Sequence, residues 1–559
     1  MITAVRDLRD WLSAVEEAGE LHRVKEQVDW DEEMAAITYM VGKMPKSPAL
    51  LFENIKGYSP DHRVLLNMLG ASSDRIALAL RLPTGLSITE LIRLTRERIG
   101  RRIPPRIVSA SEAPVNENVI VGDKVDVREF PSPRMWPLDG GRYIGTADVV
   151  ITKDPDNGYI NLGTYRQIVY NAREVGFYTS PGKDARLHRE KWWARGEPCE
   201  VAAVYGVDPL LFIVGSQGFP KTVSEYEYAG GIQGEPIDVV KGEVTDLLIP
   251  ARAEIVIEGI SRPDLARPEG PFGEFTGYYG RPEGETPVIE VKCVHYRNKP
   301  ILTSSLMAEF PACDQALFFG IARSARIWND LDTLGITGIR GVYAHPAAAS
   351  GFGMVVVSLQ QQYAGHAQQV LALAAQCPGG AYYTKWIIAV DEDVDPTDIH
   401  QVLWAMATRC NPTEDIDILR STWSTWLDPT QNPPDERPYG SKALINACKE
   451  HKYISVFSRR SAISETMYGR VASRWTELGL PGQPPPVTTF ETLPSRSVAP
   501  ESIKEEGRSL HRSCFAPGSR PTCGDQGEGD LRPPTNTLAR GVQVCWQRSA
   551  VTSQWLARE

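Results

Sequence analysis

Short runs of apolar and β-branched residues fill positions 119–310 and constrain the fold of this chain more than any other feature. Each run is bounded by Gly, Pro or Asp, as in ADVVITKD, PCEVAAVYG, PLLFIVGS, AEIVIEGI and TPVIEVKCVHY. Runs of this length and composition are typical of β-strands. We therefore predict that this region is mainly a sheet or a split β-barrel.

Helix and strand patterns alternate on both sides of this region. An amphipathic N-terminal stretch predicts a helix that ends near Gly19, and ITELIRLTRERIG predicts another at 88–100. Beyond residue 311, helical patterns alternate with apolar strand-like runs, which is typical of βαβ units. Because 559 residues are too many for one hydrophobic core, we predict a multidomain α/β (α+β) chain. Its predicted parts are an N-terminal α/β domain at 1–118, a central split β-barrel domain at 119–310 and a C-terminal α/β domain at 311–480.

The last part of the chain, residues 481–559, lacks the hydrophobic periodicity of the rest and contains scattered Gly, Pro and charged residues. Such a composition predicts a disordered tail. Nine cysteines are scattered over the whole chain without a CxxC pair. Their spacing indicates neither a disulfide framework nor a zinc site.

Charge and hydropathy exclude several classes of function. The net charge of −10 argues against nucleic-acid binding, which calls for a basic face. No apolar run approaches the roughly 18 residues that a membrane span needs. The N-terminus lacks the continuous apolar region of a signal peptide. We therefore predict a cytoplasmic protein without nucleic-acid or membrane partners.

Two motifs of the central region carry groups suited to acid–base chemistry. PEGPFGEFTGYY places Glu269 and Glu274 five residues apart in a loop whose glycines and prolines favour irregular but fixed backbone. NLGTYR supplies an amide, Asn161, and a permanent cation, Arg166. Two carboxylates and an arginine suit proton transfer beside an anionic substrate, because a nearby cation or burial separates the carboxylate pKa values.

These residues also have plain structural interpretations. Taken alone, Arg166 is more typical of a structural salt bridge, and the PEGPFGE loop is compatible with a rigid turn. On a regular strand Asn161 and Arg166 would point to opposite faces. Both reach one site only if the strand ends or bulges between them, which Gly163 permits.

Two further carboxylates and a histidine are candidates with equally plain alternatives. Glu225 follows Ser224, so in isolation it is best explained as a carboxylate at the start of a helix. Asp184 and His188 are four residues apart and share a helical face, which suits either a metal or a hydrophilic surface helix. Dinucleotide, Walker, zincin and nucleophile-elbow signatures are missing from the sequence.

Six motifs in this order and spacing resemble the UbiD family of prenylated-flavin-dependent decarboxylases, over about residues 5–480. They are NLGTYR, SEYEYAGG, PEGPFGEFTGYY, KWIIAVDEDVD, ATRCNP and GSKALINACK. The resemblance implies prenylated FMN as cofactor, bound at its phosphate through a divalent metal, usually Mn²⁺, and through K⁺. Hard divalent ions prefer oxygen ligands, which an amide and carboxylates provide.

The resemblance also implies roles for individual residues. Arg166 matches the catalytic arginine, Glu269 its network partner and Glu274 the proton donor. Asn161 and Glu225 match metal ligands. The third ligand is usually a histidine, and Asp184 stands at that position, with His188 one helical turn later as the alternative. The positions implied to contact the cofactor are Thr146, Asn161, Thr164, Arg166, Ser216, Glu225 and Lys385.

The function implied by the resemblance is reversible, non-oxidative decarboxylation of an aromatic or α,β-unsaturated acid, with the cofactor as electron sink. Substrate-pocket residues are expected from 421–429 and from 307–310. The family further implies a homodimer or larger assembly and a flavin prenyltransferase that supplies the cofactor. Two alternatives remain: an FMN-dependent oxidoreductase, since a split barrel also binds ordinary FMN, and a cofactor-less scaffold subunit, which the atypical Asp184 would allow.

Overall fold

The computed structural model describes residues 5–280, 282–431, 433 and 436–493, and all of them belong to one compact unit. The predicted tail therefore falls mostly outside the described residues. Its first part, 481–493, is described and is attached to the chain before it, because the Phe490 amide donates a hydrogen bond to the Ile463 carbonyl. None of the helices in the described ranges is both long and apolar enough to cross a membrane.

The N-terminal part combines helices with a four-stranded sheet whose strands, in order, are Leu21–Val24, Ala49–Phe52, Arg63–Leu66 and Ile301–Thr303. Trp11 and Leu12 of the first helix are buried, and the Asp7 side chain caps its N-terminus. A Ser87–Glu90 capping box begins the fourth helix. The elements are α1 (Leu8–Glu17), β1 (Leu21–Val24), α2 (Glu33–Gly42), β2 (Ala49–Phe52), β3 (Arg63–Leu66), α3 (Ser73–Ala79), α4 (Ile88–Ile99) and β4 (Arg106–Ile107).

The central part is built on an eight-stranded sheet, as the β-rich runs predict. Its main path is β10-β16-β14-β11-β7-β8, and β5 and β15 also pair with β16. All strands of the central part are β5 (Asn118–Val121), β6 (Tyr143–Gly145), β7 (Asp148–Lys153), β8 (Ile160–Gly163), β9 (Gln167–Ile168), β10 (Glu174–Gly176), β11 (Cys199–Tyr205), β12 (Asp238–Lys241), β13 (Leu248–Pro250), β14 (Ile255–Ser261), β15 (Ala266–Glu269), β16 (Gly284–Tyr296) and β17 (Ile301–Thr303). Of these, β6, β9, β12, β13 and β17 belong to smaller sheets. The helices are α5 (Asp184–Ala194), α6 (Pro209–Gly215) and α7 (Glu225–Gln233). Because β17 pairs with β3, this part completes the N-terminal sheet.

One apolar run of the central part is not the strand that its composition predicts. PLLFIVGS forms the buried helix α6, so the strand prediction was wrong there. The Asp208 side chain accepts a hydrogen bond from the Leu210 amide, and Pro209 occupies the first helical position. An Asp cap followed by proline is a helix-start signal, and it decides the structure where composition alone is ambiguous.

The C-terminal part is a helix-covered mixed sheet in the order β18-β19-β20-β22-β21, in which β19, β20 and β22 run parallel. The elements are α8 (Ala316–Thr333), β18 (Ile339–Ala344), β19 (Met354–Leu359), α9 (His366–Gln376), β20 (Trp386–Asp391), α10 (Ile399–Arg409), β21 (Ile416–Thr422), β22 (Gly440–Ala447) and α11 (Glu465–Ala472). The predicted fold class, a multidomain chain of mixed helix and sheet, is confirmed.

Candidate active site

The end of strand β8 brings Asn161 and Arg166 to one site. The strand stops at Gly163, and Arg166 stands just before β9, so the predicted break between the two residues is confirmed. A Cβ at Gly163 would lie 2.3 Å from the Tyr165 hydroxyl oxygen. Glycine is therefore required for the Tyr165 ring to fold back over the strand end.

Arg166 joins the two carboxylates that the sequence singles out. Its Nε and Nη2 atoms donate to Oε1 and Oε2 of Glu269 at 2.9 and 3.0 Å. Its Nη1 atom donates to Oε1 of Glu274. The side chains of Arg166 and Glu274 are each only 7% exposed. Tyr143 adds a fourth member, because its hydroxyl donates to Glu269 Oε1 at 2.8 Å.

Burial and charge set the acid–base properties of this cluster. Burial raises the pKa of the Glu274 carboxyl to about 7, although the Arg166 charge opposes the rise. Burial alone would lower the pKa of Arg166, but the negative charges of Glu269 and Glu274 raise it above its ordinary value. Arg166 therefore stays charged, while burial favours the protonated form of Glu274 more than in an exposed carboxyl.

The loop that carries the two glutamates is docked on residues 136–140. The Asp139 carboxylate accepts hydrogen bonds from the amides of Gly273 and Trp136 at 2.9 and 3.0 Å. The Gly140 amide donates to the Pro271 carbonyl at 2.9 Å. These backbone contacts fix the position of Glu274, whose amide directly follows Gly273.

A cavity of about 180 Å³ lies beside Arg166 and Glu274. Much of its wall is aromatic or aliphatic, and it is suited to a flat, apolar ligand with few polar groups. Seven residues predicted from the sequence contribute to its wall: Thr146, Asn161, Thr164, Arg166, Asp184, Ser216 and Glu274. Glu269 lies directly behind the wall, where it holds Arg166.

Asn161 and Asp184 line the cavity, and Glu225 lies behind its wall residue Leu162. Asp184 is the first residue of α5, and Glu225 begins α7 after its Ser224 cap, as the helix-start interpretation predicts. Glu225 is buried, and its carboxylate accepts from the Leu162 amide at 2.8 Å. Burial, with the Asp184 charge adding, raises the pKa of Glu225 to about 8.

This donor set fits a hard divalent cation. The buried Nδ2 atom of Asn161 has no hydrogen-bond partner among the described residues, which leaves this N–H₂ group for an acceptor such as a phosphate oxygen, while the amide oxygen is the atom that a cation would take. Repulsion by the Asp184 charge adds to the rise of the Glu225 pKa, even though Asp184 Oδ1 also pairs with Lys221 Nζ at 3.0 Å. A divalent cation would remove that repulsion and take carboxylate and amide oxygens as ligands.

His188 and Lys385, two further predicted candidates, do not line this cavity. His188 is buried, so the interpretation as a residue of a hydrophilic surface helix was wrong. Its Nδ1 atom lies 3.0 Å from the Thr152 hydroxyl oxygen, and its Nε2 atom lies 3.8 Å from an Asp154 oxygen. Lys385 lines a second cavity, where its Nζ atom donates to Asp428 Oδ1 at 2.8 Å. The structure therefore brings neither side chain to the Asn161–Arg166 cavity.

Sequence reasoning missed most of the apolar wall of the cavity. Met307 and Leu427 come from the two segments expected to contribute substrate contacts. The aromatic wall residues are Tyr165, Tyr178, Phe212, Phe272, Phe275, Phe319, Phe352 and Tyr382. They come from distant parts of the chain, and no spacing in the sequence distinguishes them from core residues.

The fold and the site together have the features of an enzyme active site. A buried arginine joins two carboxylates at an aromatic cavity, and a set of oxygen donors suited to a cation stands beside them.

Family models assign the chain to a particular enzyme family. The N-terminal, Rift-related and C-terminal domains of 3-octaprenyl-4-hydroxybenzoate carboxy-lyase match residues 12–95, 106–309 and 316–447. The chain belongs to the UbiD family of carboxy-lyases.

Individual relatives agree with this placement. The phenolic acid decarboxylase of Sedimentibacter hydroxybenzoicus is 34% identical over 459 residues, covering 80% of this chain and 92% of its own. The phenolic acid decarboxylase of Bacillus subtilis (strain 168) is 34% identical over 439 residues, and the match covers 77% of this chain and 90% of that protein.

Solved structures of the family also match. The closed form of the Sedimentibacter hydroxybenzoicus vanillic acid decarboxylase has a TM-score of 0.74 at 29% identity, covering 91% of this chain and 100% of its own. The UbiD-class enzyme HmfF of Pelotomaculum thermopropionicum, in complex with FMN, has a TM-score of 0.70 at 29% identity. The match covers 79% of this chain and 94% of HmfF. An evolved dimeric form of HmfF was solved in complex with prFMN.

Proposed function

We propose that this enzyme reversibly decarboxylates an aromatic or α,β-unsaturated acid, with phenolic acids as the first class to test. The observation that carries the proposal is the buried ion-pair cluster in which Arg166 joins Glu269 and Glu274 beside an aromatic cavity. The relatives named as phenolic acid decarboxylases support the substrate class.

The proposed cofactor is prenylated FMN, which supplies an electron sink for decarboxylation when it is bound. Asn161, Asp184 and Glu225 would hold its divalent metal, which we expect to be Mn²⁺, and K⁺ would accompany it at the phosphate. Thr146, Thr164 and Ser216 line the same cavity and are proposed to contact the cofactor. Lys385 would join them only if its ion pair with Asp428 opened.

The residues of the chain then have separate tasks. Glu269 orients Arg166 through two hydrogen bonds, and Arg166 keeps a positive charge close to the substrate carboxylate. Glu274 holds the proton that replaces CO₂ on the product carbon. The aromatic wall excludes water, which would otherwise compete as a proton source.

Turnover should depend on pH through Glu274. Because the general acid must be protonated and the pKa of Glu274 is about 7, we expect kcat to be level in acid. Well above pH 7 it should fall about tenfold per pH unit, as the acid form is lost. Measurement of kcat between pH 5.5 and 9 with saturating substrate checks this. A profile that rises with pH would contradict the assigned role.

Metal binding should depend on Glu225 and not on His188. Glu225→Ala removes a buried carboxylate from the proposed metal site and should release metal and cofactor together. His188→Ala should keep both, because His188 contacts Thr152 and faces Asp154 instead. Elemental analysis and flavin absorbance of the purified variants measure the two contents. If His188→Ala empties the site while Asp184→Ala leaves it full, the third ligand is His188.

A direct test of the function is co-expression with a flavin prenyltransferase, followed by CO₂-release assays on a panel of phenolic and other aromatic acids. Mass spectrometry of the released cofactor identifies its prenyl modification. Nicotinamide oxidation without CO₂ release would favour an FMN-dependent oxidoreductase, and a protein that takes up no flavin would favour a scaffold subunit.

We also propose that the C-terminal part forms a homodimer contact. Met467 and Val471 of α11 are 45% and 38% exposed, which leaves an apolar helix face for a second copy. Light scattering of the purified protein measures the oligomeric state.

A further inference from the structure

Asp148 is a buried carboxyl group at the cavity that the proposed reaction does not use. It opens strand β7, is 1% exposed and contributes to the cavity wall. Its Oδ2 atom has no hydrogen-bond partner among the residues that the structure describes. Burial raises the pKa of Asp148 well above its ordinary value. A buried carboxyl oxygen without a partner is costly for the fold, so its retention beside a cavity indicates a ligand.

A second buried carboxyl group in this protein shows how a structural aspartate is satisfied. Asp314 is also 1% exposed, but it accepts hydrogen bonds from three consecutive amides. Those of Met68, Leu69 and Gly70 lie at 3.1, 2.9 and 2.7 Å. The backbone amides of Tyr165 and of Asp148 itself oppose the rise of the Asp148 pKa, but Oδ2 has no partner among the described residues, so these backbone contacts do not account for that oxygen.

The position of Asp148 relative to Asn161 indicates which part of a ligand it meets. Asn161 pairs with Thr152 on β7, and Asp148 precedes Thr152 by four residues. The three side chains share one face of the strand pair, because side chains alternate along a strand. At about 3.3 Å per residue, Asp148 lies roughly 13 Å along the strand from the proposed metal end. One elongated ligand whose phosphate is held at that end would reach Asp148 with its other end.

We propose that Asp148 binds the hydrogen-bonding edge of the flavin ring, where an imide N–H lies between two carbonyl groups. The inference rests on the proposed flavin cofactor and adds a contact at the ring, far from the metal. A carboxyl group pairs with such an edge by accepting from the imide N–H, and when protonated it also donates to a ring carbonyl.

The test is titration of the full-length apoprotein, with Mn²⁺ present, by FMN and by 3-methyl-FMN, followed through quenching of flavin fluorescence. Wild type should bind 3-methyl-FMN at least about tenfold more weakly than FMN, because the methyl group removes the imide donor. Asp148→Leu should bind FMN as weakly as wild type binds 3-methyl-FMN, and methylation should cost it no further affinity. Asp148→Asn keeps an acceptor and a donor and should stay within about threefold of wild type.

Thermal unfolding of the apoproteins gives a readout independent of the flavin. Asp148→Leu should keep or raise Tm, because it removes a buried oxygen that has no partner, whereas Asp314→Asn should lower Tm by disturbing three hydrogen bonds. Equal FMN affinity in wild type and Asp148→Leu would overturn the inference and leave the proposed cofactor intact. An equal effect of methylation in both proteins would do the same. Wild type that fails to bind FMN would remove the proposed cofactor and this contact together.

Discussion

Glu274→Gln should reduce net decarboxylation by about 10²–10⁴-fold while cofactor and metal stay bound, because general acid groups contribute about that factor. Glutamine keeps the shape of the side chain and a hydrogen-bonding oxygen for Arg166, but it has no acidic proton to give. The rate of CO₂ release under saturating substrate measures the loss. Solvent-deuterium incorporation at the product carbon should fall in parallel.

The matched control is Glu309→Gln. Glu309 carries the same group on a nearby segment, but its carboxylate is half exposed and paired with Tyr39 and Lys43, so the rate should change little. Near-normal turnover in Glu274→Gln, at unchanged flavin and metal content, would take Glu274 out of the mechanism. Glu269 would then become the candidate acid.

Local sequence signals predicted the parts of the site that depend on a few neighbouring residues. Gly163 permits the strand to end between Asn161 and Arg166, and the structure ends β8 there. Ser224 predicts a helix start at Glu225, and α7 begins at that residue. In both cases the backbone geometry follows from residues within five positions, so no tertiary information was needed.

Contacts between distant segments could not be predicted in the same way. The aromatic cavity wall is assembled from segments of the central and C-terminal parts, so each ring looks like an ordinary core residue in the sequence. His188 looked like a residue of a hydrophilic helix surface, but α5 packs that face against β7 and buries it. The pairing of β17 with β3 joins residues more than 200 positions apart, which no local pattern signals.

The apolar composition of a run gave a wrong prediction where the residues that flank the run were not considered. PLLFIVGS has the apolar content of a buried strand, and only Asp208 and Pro209 before it distinguish a helix. The family motifs imply that Lys385 contacts the cofactor, and in the structure its Nζ atom pairs with Asp428. A motif match thus carries residue identity across a family, but the side-chain partner depends on the packing of this chain.

Arg166→Met should lower the free energy of unfolding by about 3–5 kcal/mol near pH 8, because removal of one partner leaves buried charge uncompensated. Arg166 is held by Glu269 and Glu274, and all three side chains are almost fully buried. Without the cation, the folded-state pKa values of both carboxyls rise. The variant is therefore least stable above those values and regains stability as pH falls through them and the carboxyls become neutral. Urea unfolding of the apoprotein at pH 5.5 and pH 8 measures both effects.

The origin of that loss can be separated from a loss of side-chain packing. Arg186→Met removes an exposed arginine paired with Glu190 on α5, and it should change stability by less than about 1 kcal/mol at either pH. The triple variant Arg166→Met, Glu269→Gln, Glu274→Gln removes the buried charges as well and should recover much of the loss at pH 8. A deficit that is the same at both pH values, or that persists in the triple variant, would mean that Arg166 stabilises the fold through packing against Tyr178 and Phe272. In that case the two carboxylates would not depend on Arg166 for their charge, and its role in separating their acidities would fail with it.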